Sequence, residues 1–267
     1  MLPPPICYLI LVEVKKIMGE KERIKAERKE YFKTAPFQKK IEFIWDYYKI
    51  HIIVGLFVVI LGGYYIYELA TAKDSILDGM FLNMHAIESK SNIEELKQDF
   101  LEFTEVDTEK YEVSFSTDYI LTGDLATDYE VQQVIRTRVG AGTTDFMVAP
   151  LTYLTDYAYQ GFYVDLRTVL SKDQLETYEP YFLYVDGDVM KEIEKLSSDI
   201  DADYNVEKPD FTKPEDMKDP IPVFIDMSKC DKITKLYSLD QDSLVYGIVV
   251  NAPSEENAVK LLECMME

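Results

Sequence analysis

Residues 50–69 read IHIIVGLFVVILGGYYIYEL, and this apolar stretch decides how the rest of the chain is organised. Its first eighteen residues, 50–67, contain no Asp, Glu, Lys or Arg. As an α-helix they would extend about 27 Å, close to the thickness of the hydrocarbon core of a bilayer. Trp45 and Tyr48 precede the stretch and Tyr67 lies near its end, as aromatic rings do at membrane interfaces. The stretch therefore predicts a transmembrane helix rather than a buried core helix, which is rarely apolar on every side.

The charged residues are distributed unevenly about this stretch. Residues 1–49 contain 11 Lys and Arg and 7 Asp and Glu, a net charge of +4, whereas residues 71–267 contain 17 and 41, a net charge of −24. Because basic residues stay on the cytoplasmic side, we predict a single-pass protein of the cell membrane with its N-terminus in the cytoplasm. Met18 reads as the true start of translation, and residues 1–17 predict no folded element.

These observations predict the order of segments along the chain. A basic cytoplasmic segment over residues 1–49 precedes the transmembrane helix at 50–69, which holds the chain in membrane lipid. A linker over 70–78 follows, and an extracytoplasmic domain occupies 79–267, a length typical of one domain. Within the first segment, Pro36 should interrupt the helical pattern.

The composition of the outer part restricts its partners and its chemistry. Its negative charge excludes nucleic acid, whose phosphates it would repel, and predicts solubility at a cell surface or an acidic docking surface. Cys230 and Cys264 match no metal-binding spacing, and we predict that they are either joined in a disulfide or both buried. No catalytic or nucleotide-binding motif occurs, so we expect neither an enzyme nor a cofactor.

Strand and helix patterns alternate along the outer part. Capping boxes, in which Ser or Thr stands three residues before Glu or Gln, predict helices that start at Ser91, Thr127 and Ser171. Short apolar runs predict strands over residues 79–84, 111–116, 145–149, 181–185, 221–227 and 244–250. Alternation of this kind predicts an α/β domain with a mainly parallel sheet flanked by helices. The last strand and the helix that follows it should pack on the first half of the domain.

An acidic stretch, SSDIDADYNVEKPDFTKPEDMKDP, occupies residues 197–220 and predicts a long loop outside the core. Asp199, Asp201 and Asp203 alternate in a way that is similar to a calcium-binding loop. Tyr204, however, stands where such a loop needs glycine for its sharp turn. We therefore favour a solvated acidic loop over a calcium site.

A ligand site in an open α/β sheet lies beyond the carboxyl ends of the strands. At the ends of the first three predicted strands, this rule selects polar residues that could hydrogen-bond a small ligand. The candidate ligand-binding residues are Asn83, His85, Thr117, Tyr119, Thr152 and Tyr153.

Two stretches of the outer part resemble a known family. Residues 134–166, VIRTRVGAGTTDFMVAPLTYLTDYAYQGFYVDL, and residues 244–265, LVYGIVVNAPSEENAVKLLECM, are similar to segments of the extracellular solute-binding proteins of ABC importers. In that family, a helix ending in a Gly/Ala turn leads to an Asp-led strand, and a closing strand leads through an Asn turn to a last helix. The resemblance covers residues 79–267 loosely and implies a periplasmic-binding-protein fold that captures a small ligand.

Members of that family have two lobes hinged around a ligand cleft, whereas residues 79–267 suffice for one lobe. We therefore expect a single membrane-anchored lobe that acts as a binding or adaptor domain. Its partner would be a small ligand of a bacterial cell envelope or another membrane protein. The alternative is a structural or assembly component of a cell-envelope or membrane complex, with no small-molecule ligand.

Overall fold

The computed structural model describes residues 6–84, 90–124, 126–197, 206–237 and 243–266. The chain forms two compact units, Met1–Ala72 (unit 1) and Lys73–Glu267 (unit 2). Four residues singled out from the sequence lie outside the described residues, and these are the ligand candidate His85 and the calcium candidates Asp199, Asp201 and Asp203.

Unit 1, as far as it is described, consists of the helices α1 (Ile6–Thr34) and α2 (Phe37–Thr71). Pro36 separates them in an extended conformation, as predicted, because proline cannot continue the hydrogen-bond ladder of a helix. The expectation that residues 1–17 hold no folded element is wrong for residues 6–17, which belong to α1. These residues contain neither Gly nor Pro, so nothing in them ends a helix.

The predicted membrane span lies on α2. Its residues Tyr48–Thr71 form a stretch of 24 residues that is long and apolar enough to cross a membrane, and its side chains are exposed rather than packed in a core. The length and composition of a membrane-spanning helix are therefore confirmed. The direction in which the helix crosses the membrane stays a prediction.

Unit 2 contains a six-stranded sheet in the order β2-β1-β3-β6-β5-β4. Its strands are β1 (Asp74–Phe81), β2 (Tyr111–Ser116), β3 (Phe146–Pro150), β4 (Phe182–Asp186), β5 (Pro220–Asp226) and β6 (Leu244–Ile248). β1 pairs in parallel with β2 and β3, whereas β6 runs antiparallel to β3 and β5, and β4 runs antiparallel to β5. The α/β class is confirmed, but the prediction of a mainly parallel sheet is wrong.

The antiparallel half arises from the order of its strands. β4, β5 and β6 are consecutive along the chain and are also neighbours in the sheet. Strands that are neighbours in both respects can join without crossing the sheet, and they then run in opposite directions. The apolar runs that locate these strands in the sequence do not encode their direction.

β1 begins earlier than the sequence pattern indicates. It starts at Asp74, which pairs with Tyr111 of β2, so most of the segment predicted as a linker, residues 70–78, is the end of α2 and the first part of β1. Asp74 and Ser75 are exposed, and Leu77 is the first buried residue of the strand. An exposed polar start of this kind gives no apolar run from which to recognise a strand.

Helices cover both faces of the sheet. One face carries α3 (Lys90–Phe103), α6 (Leu166–Val169), α7 (Lys172–Tyr178), α9 (Asp231–Thr234) and α10 (Glu255–Met266), and the other carries α4 (Tyr129–Gly140), α5 (Leu151–Tyr159) and α8 (Gly187–Ser197). Every buried hydrophobic residue among the described side chains is Leu77 or a later residue. Unit 2 therefore contains its whole core, and a fragment of residues 73–267 should fold without unit 1.

The last strand and helix pack on the first half of unit 2, as predicted. The ring of Tyr246 on β6 stacks on Phe146 of β3 with a centroid distance of 5.1 Å. Phe146 meets Phe81 of β1 edge-on at 5.7 Å. The hydroxyl of Tyr246 donates a hydrogen bond to the carbonyl oxygen of Ala258 in α10, 2.8 Å away.

The described part of the acidic stretch is mainly irregular and mostly exposed or half-buried, as predicted for a loop, but two of its side chains are buried in the core, contrary to the prediction. Phe211 and Met217 are buried, and the ring of Phe211 stacks on Phe224 of β5 with a centroid distance of 6.2 Å. The carbonyl oxygen of Phe211 accepts a hydrogen bond from the backbone N–H of Tyr184, 2.8 Å away. Two apolar side chains are thus enough to fasten residues 206–219, although their neighbours are acidic.

The helix starts agree with the predicted capping boxes in one place. Ser171 and Gln174 form the full box at the start of α7. Thr127 does not cap α4, which begins at Tyr129, because its hydroxyl instead donates to Asp124 at 2.9 Å. α3 begins at Lys90, one residue before the predicted cap Ser91.

The two cysteines of unit 2 are buried thiols and form no disulfide, which is one of the two predicted outcomes. The thiol of Cys230 donates to the carbonyl oxygen of Met265, 3.2 Å away.

Candidate functional site

The ligand candidates within the described residues lie at the carboxyl edge of β1, β2 and β3, and the side chain of Asn83 is hydrogen-bonded to backbone there. The side-chain amide of Asn83 donates to the carbonyl oxygen of Leu121 at 2.7 Å and accepts from its N–H at 2.8 Å. The backbone N–H of Asn83 also donates to the carbonyl oxygen of Tyr119 at 2.9 Å. Asn83 and Tyr119 are thus brought together, but the amide of Asn83 holds backbone and is not available to a ligand.

The other described candidates differ in their burial and in the elements that carry them. Thr117 is half-buried, and Thr152 is exposed on the first turn of α5. Tyr153 is half-buried and packs against the core on the side of α4 and α5. None of the described candidates lines the cleft described next.

A cleft of about 780 Å³ opens at the opposite edge of the sheet, on the face covered by α4, α5 and α8. It lies beside the end of β4 and the start of β5. Because β5 runs in the same direction as β3, this is the edge at which β3 begins. The side chains that determine its chemistry are Arg136, Tyr159, Phe162, Met190, Ile193 and Ile221.

Two glycines in the walls allow the elements around the cleft to approach one another. Gly161 ends α5 in a left-handed conformation, with φ +75°, which glycine adopts without strain. Gly187 begins α8, and a Cβ there would lie 2.4 Å from Oδ2 of Asp219 and 2.9 Å from Cδ1 of Ile221. Only glycine therefore fits at residue 187 without displacing its neighbours.

The wall contributed by α8 is largely apolar. Gly187, Met190, Glu194 and Ser197 follow one another at helical spacing and line the cleft together with Ile193. Met190 and Ile193 are half-buried, since they touch the core with one side and face the cleft with the other. This wall offers apolar contact area to a bound molecule.

Arg136 brings a positive charge to the cleft that no carboxylate neutralises within the described part of the chain. Its Nη1 donates to Oε1 of Gln160 at 2.8 Å, and none of the ion pairs among the described residues includes it. The guanidinium lies 5.7 Å from the ring centroids of both Tyr157 and Phe162. These two rings hold the guanidinium by cation–π attraction.

Lys191, the other cation of the cleft, differs from Arg136 because it is already paired. Its ammonium group lies 3.2 Å from Asp188 and 3.3 Å from Asp219. Hydrogen bonds to these two carboxylates raise the pKa of Lys191 above its ordinary value. The charge available to a bound molecule is therefore that of Arg136.

Tyr159 supplies a buried hydroxyl beside the cleft. Its side chain is 2% exposed, and the hydroxyl has no hydrogen-bond partner among the described residues. It approaches the backbone N–H of Asp186 without reaching hydrogen-bonding geometry. Burial raises the pKa of Tyr159, so the group stays protonated and can donate. The hydroxyl is enclosed by the protein, so its donor is not exposed to a molecule bound in the cleft, although the side chain of Tyr159 lines it.

The buried carboxylates of unit 2 serve the fold. Asp145 accepts from the backbone N–H of Asp78 at 2.7 Å and of Ser254 at 2.6 Å. Asp186 accepts from three backbone N–H groups, those of Asp188, Lys218 and Asp219. No group of three or more His, Cys, Asp and Glu that could hold a metal ion occurs among the described residues.

The sequence analysis missed the cleft because it did not recognise α8. Val189, Ile193 and Leu196 recur at helical spacing in this segment and could have revealed the helix. The pairing of Arg136 with Gln160 depends on how α4 and α5 pack, which the sequence pattern does not encode.

Comparisons with protein families, with curated proteins and with solved structures found no match for this chain. The resemblance to solute-binding proteins of ABC importers accordingly stays a prediction from the sequence.

Proposed function

We propose that this chain is a single-pass membrane protein whose unit 2 is an extracytoplasmic, non-catalytic binding domain with its ligand site in the cleft beside α8. The observation that carries the proposal is the cleft itself, whose volume of about 780 Å³ lies within the range of small-molecule sites. It combines apolar walls with a few polar groups, which is the usual composition of such sites.

The membrane location is supported by the apolar part of α2 and by the distribution of charge. Residues Tyr48–Thr71 have the length and composition of a membrane span. Residues 1–49 are net basic and residues 71–267 are net acidic, which favours a cytoplasmic N-terminus. In this arrangement α2 anchors unit 2 at the outer surface of the cell membrane.

The non-catalytic character is supported by the use of the titratable groups. The carboxylate oxygens of Asp145 and Asp186 accept hydrogen bonds from backbone N–H groups. Cys230 is buried, and its thiol donates a hydrogen bond to a backbone carbonyl oxygen. Arg136 can hold a molecule in the cleft, and its hydrogen-bond partner among the described residues, Gln160, is not a group that would activate a nucleophile.

The proposal is tested with a fragment of residues 73–267 and N-phenyl-naphthylamine, a neutral probe whose fluorescence rises in apolar surroundings. The probe should bind saturably. Replacing the half-buried wall residue Ile193 by Glu should weaken binding by about tenfold, because a charge would then face the apolar body of the probe.

The matched control is Leu101→Glu. Leu101 is also half-buried against the core, but it lines a different groove, near the end of α3. The melting temperatures of both variants show whether each still folds. Absence of saturable binding to the wild-type fragment, or an equal loss in both variants, would contradict a ligand site beside α8 and favour the structural or assembly alternative.

A further inference from the structure

We propose that the ligand of this cleft is a small amphipathic organic anion, whose negative group binds Arg136 and whose apolar body lies along Met190 and Ile193 of α8. This inference rests on the proposed function, since it specifies the ligand of the same cleft. It assigns roles to two groups there, the guanidinium of Arg136 and the apolar wall.

The guanidinium of Arg136 is the first argument, because its charge is unusual within unit 2. Residues 71–267 contain three arginines and have a net charge of −24. Arg138 pairs with Asp78, and Arg167 pairs with Asp165. Among the described residues, Arg136 has a neutral amide as its partner instead of a carboxylate. An arginine left without a carboxylate in so acidic a domain can bind an anion at its remaining N–H groups.

The position of the guanidinium is fixed before any ligand arrives. Tyr157 and Phe162, whose rings lie 5.1 Å apart, both contact it, and Gln160 binds one of its N–H groups. A group held in this way loses little conformational freedom when it binds an anion.

The apolar wall is the second argument, and it excludes a simple inorganic ion as the natural occupant. Met190, Ile193, Phe162 and Ile221 all line the cleft. A volume of about 780 Å³ is far larger than a phosphate or sulfate needs, and it fits an organic molecule of drug size.

Glu194 also lines the cleft, and its carboxylate would oppose an anion close to it. Glu194 and Arg136 are both exposed, so solvent screens the repulsion by one as it screens the attraction by the other. The anionic group of the ligand should therefore lie at the Arg136 end of the cleft, away from Glu194.

A pair of probes with the same apolar body tests the inference. Anilinonaphthalene sulfonate carries an anionic group, and N-phenyl-naphthylamine is its neutral counterpart. The wild-type fragment of residues 73–267 should bind the sulfonate about tenfold more tightly than the neutral probe, since a charged hydrogen-bonded pair forms only with the sulfonate.

Two variants remove this preference by different routes. Arg136→Gln removes the cation, and Gln160→Glu keeps Arg136 but gives it a carboxylate partner at the position of an amide oxygen 2.8 Å away. Each should weaken sulfonate binding about tenfold and change binding of the neutral probe less than about twofold. Glu194→Gln, which removes the opposing charge, should not weaken sulfonate binding.

Equal affinity of the wild-type fragment for the two probes would overturn the inference, as would an equal loss for both probes in Arg136→Gln. These results are distinct from failure of the proposed function. If the proposed function fails, the neutral probe does not bind, or Ile193→Glu does not specifically weaken its binding. Gln160→Glu keeps the inference open to refutation if Arg136→Gln fails to fold.

Discussion

The carboxylate of Asp145 accepts a hydrogen bond of 2.6 Å from the backbone N–H of Ser254, and so joins the start of β3 to the approach to α10. Its other oxygen accepts from the backbone N–H of Asp78 on β1, 2.7 Å away. Asp145 is 1% exposed, so both N–H groups are shielded from water along with it. One buried side chain thereby links three elements that are distant in sequence.

Asp145→Ala should therefore be strongly destabilising. Two buried N–H groups would lose a charged acceptor, and we expect the free energy of unfolding of the 73–267 fragment to fall by about 3 kcal/mol. Urea unfolding measures this change. Asp118→Ala, at an exposed carboxylate, is the control and should alter stability by less than about 0.5 kcal/mol. A loss at Asp145 no larger than at Asp118 would show that the link contributes little.

Because of Asp186, the folding stability of unit 2 should depend on pH in the acidic range. Burial alone would raise the pKa of Asp186, but hydrogen bonds from the N–H groups of Lys218, Asp188 and Asp219 lower it overall. Because the folded-state pKa lies below the unfolded value of about 3.9, the ionised carboxylate contributes stability above that pH. This contribution is lost as the pH falls through the folded-state value.

Comparison with Asp186→Asn isolates the contribution of this charge. The variant should be clearly less stable than the wild-type fragment at about pH 7, and the difference should shrink at about pH 3. Asp145, whose pKa burial raises, is present in both proteins and shifts stability in the opposite direction, so it cancels in the difference. The urea midpoints of both proteins at the two pH values measure this difference in stability. A difference that is the same at both would contradict the assignment.

Gly187→Ala should distort the wall of the cleft. The added Cβ would lie 2.4 Å from Oδ2 of Asp219 and 2.9 Å from Cδ1 of Ile221, so these side chains must shift, at a cost of about 1–3 kcal/mol. Gly140→Ala is the matched control, because nothing lies within 4 Å of its Cβ position at the end of α4. That change should leave stability unchanged or raise it by up to about 1 kcal/mol. Thermal unfolding of both variant fragments measures the two changes in stability. Equal effects would argue against close packing at Gly187.

The sequence patterns predict where the strands lie along the chain better than how the strands are arranged in the sheet. The apolar runs of β3, β5 and β6 were located to within a few residues, because a buried strand must be apolar whatever its direction. Their antiparallel pairing depends on which strands become neighbours, and no local pattern encodes that choice. The acidic composition of residues 206–219 concealed the two side chains, Phe211 and Met217, that fasten this segment to the core.

The described ligand candidates and the cleft lie at opposite edges of the sheet for a related reason. The rule that placed the candidates at the carboxyl edge assumes a parallel sheet, and half of this sheet is antiparallel. Asn83 was recognised correctly as a polar residue at a strand end, but its amide binds the backbone of Leu121. Arg136 and Tyr159 face the cleft from the opposite edge, where β5 begins.

The predicted topology can be tested in intact cells that produce the full chain. Added protease should remove unit 2 and leave α1 protected, because the basic residues before Tyr48 keep the N-terminus inside. Immunoblots against tags at the two ends measure the outcome. A C-terminal tag that becomes sensitive only after the membrane is permeabilised would reverse the orientation and place unit 2 in the cytoplasm.

The central claim, that unit 2 binds its ligand in the cleft beside α8, is tested most directly by amide hydrogen exchange of the 73–267 fragment with and without anilinonaphthalene sulfonate. The account predicts slower exchange in α8, Gly187–Ser197, and over residues 157–162, which include Tyr159 and the turn at Gly161. Residues 117–121, at the carboxyl edge, should exchange at unchanged rates. Protection confined to that edge, or protection in neither region at saturating probe, would contradict the account.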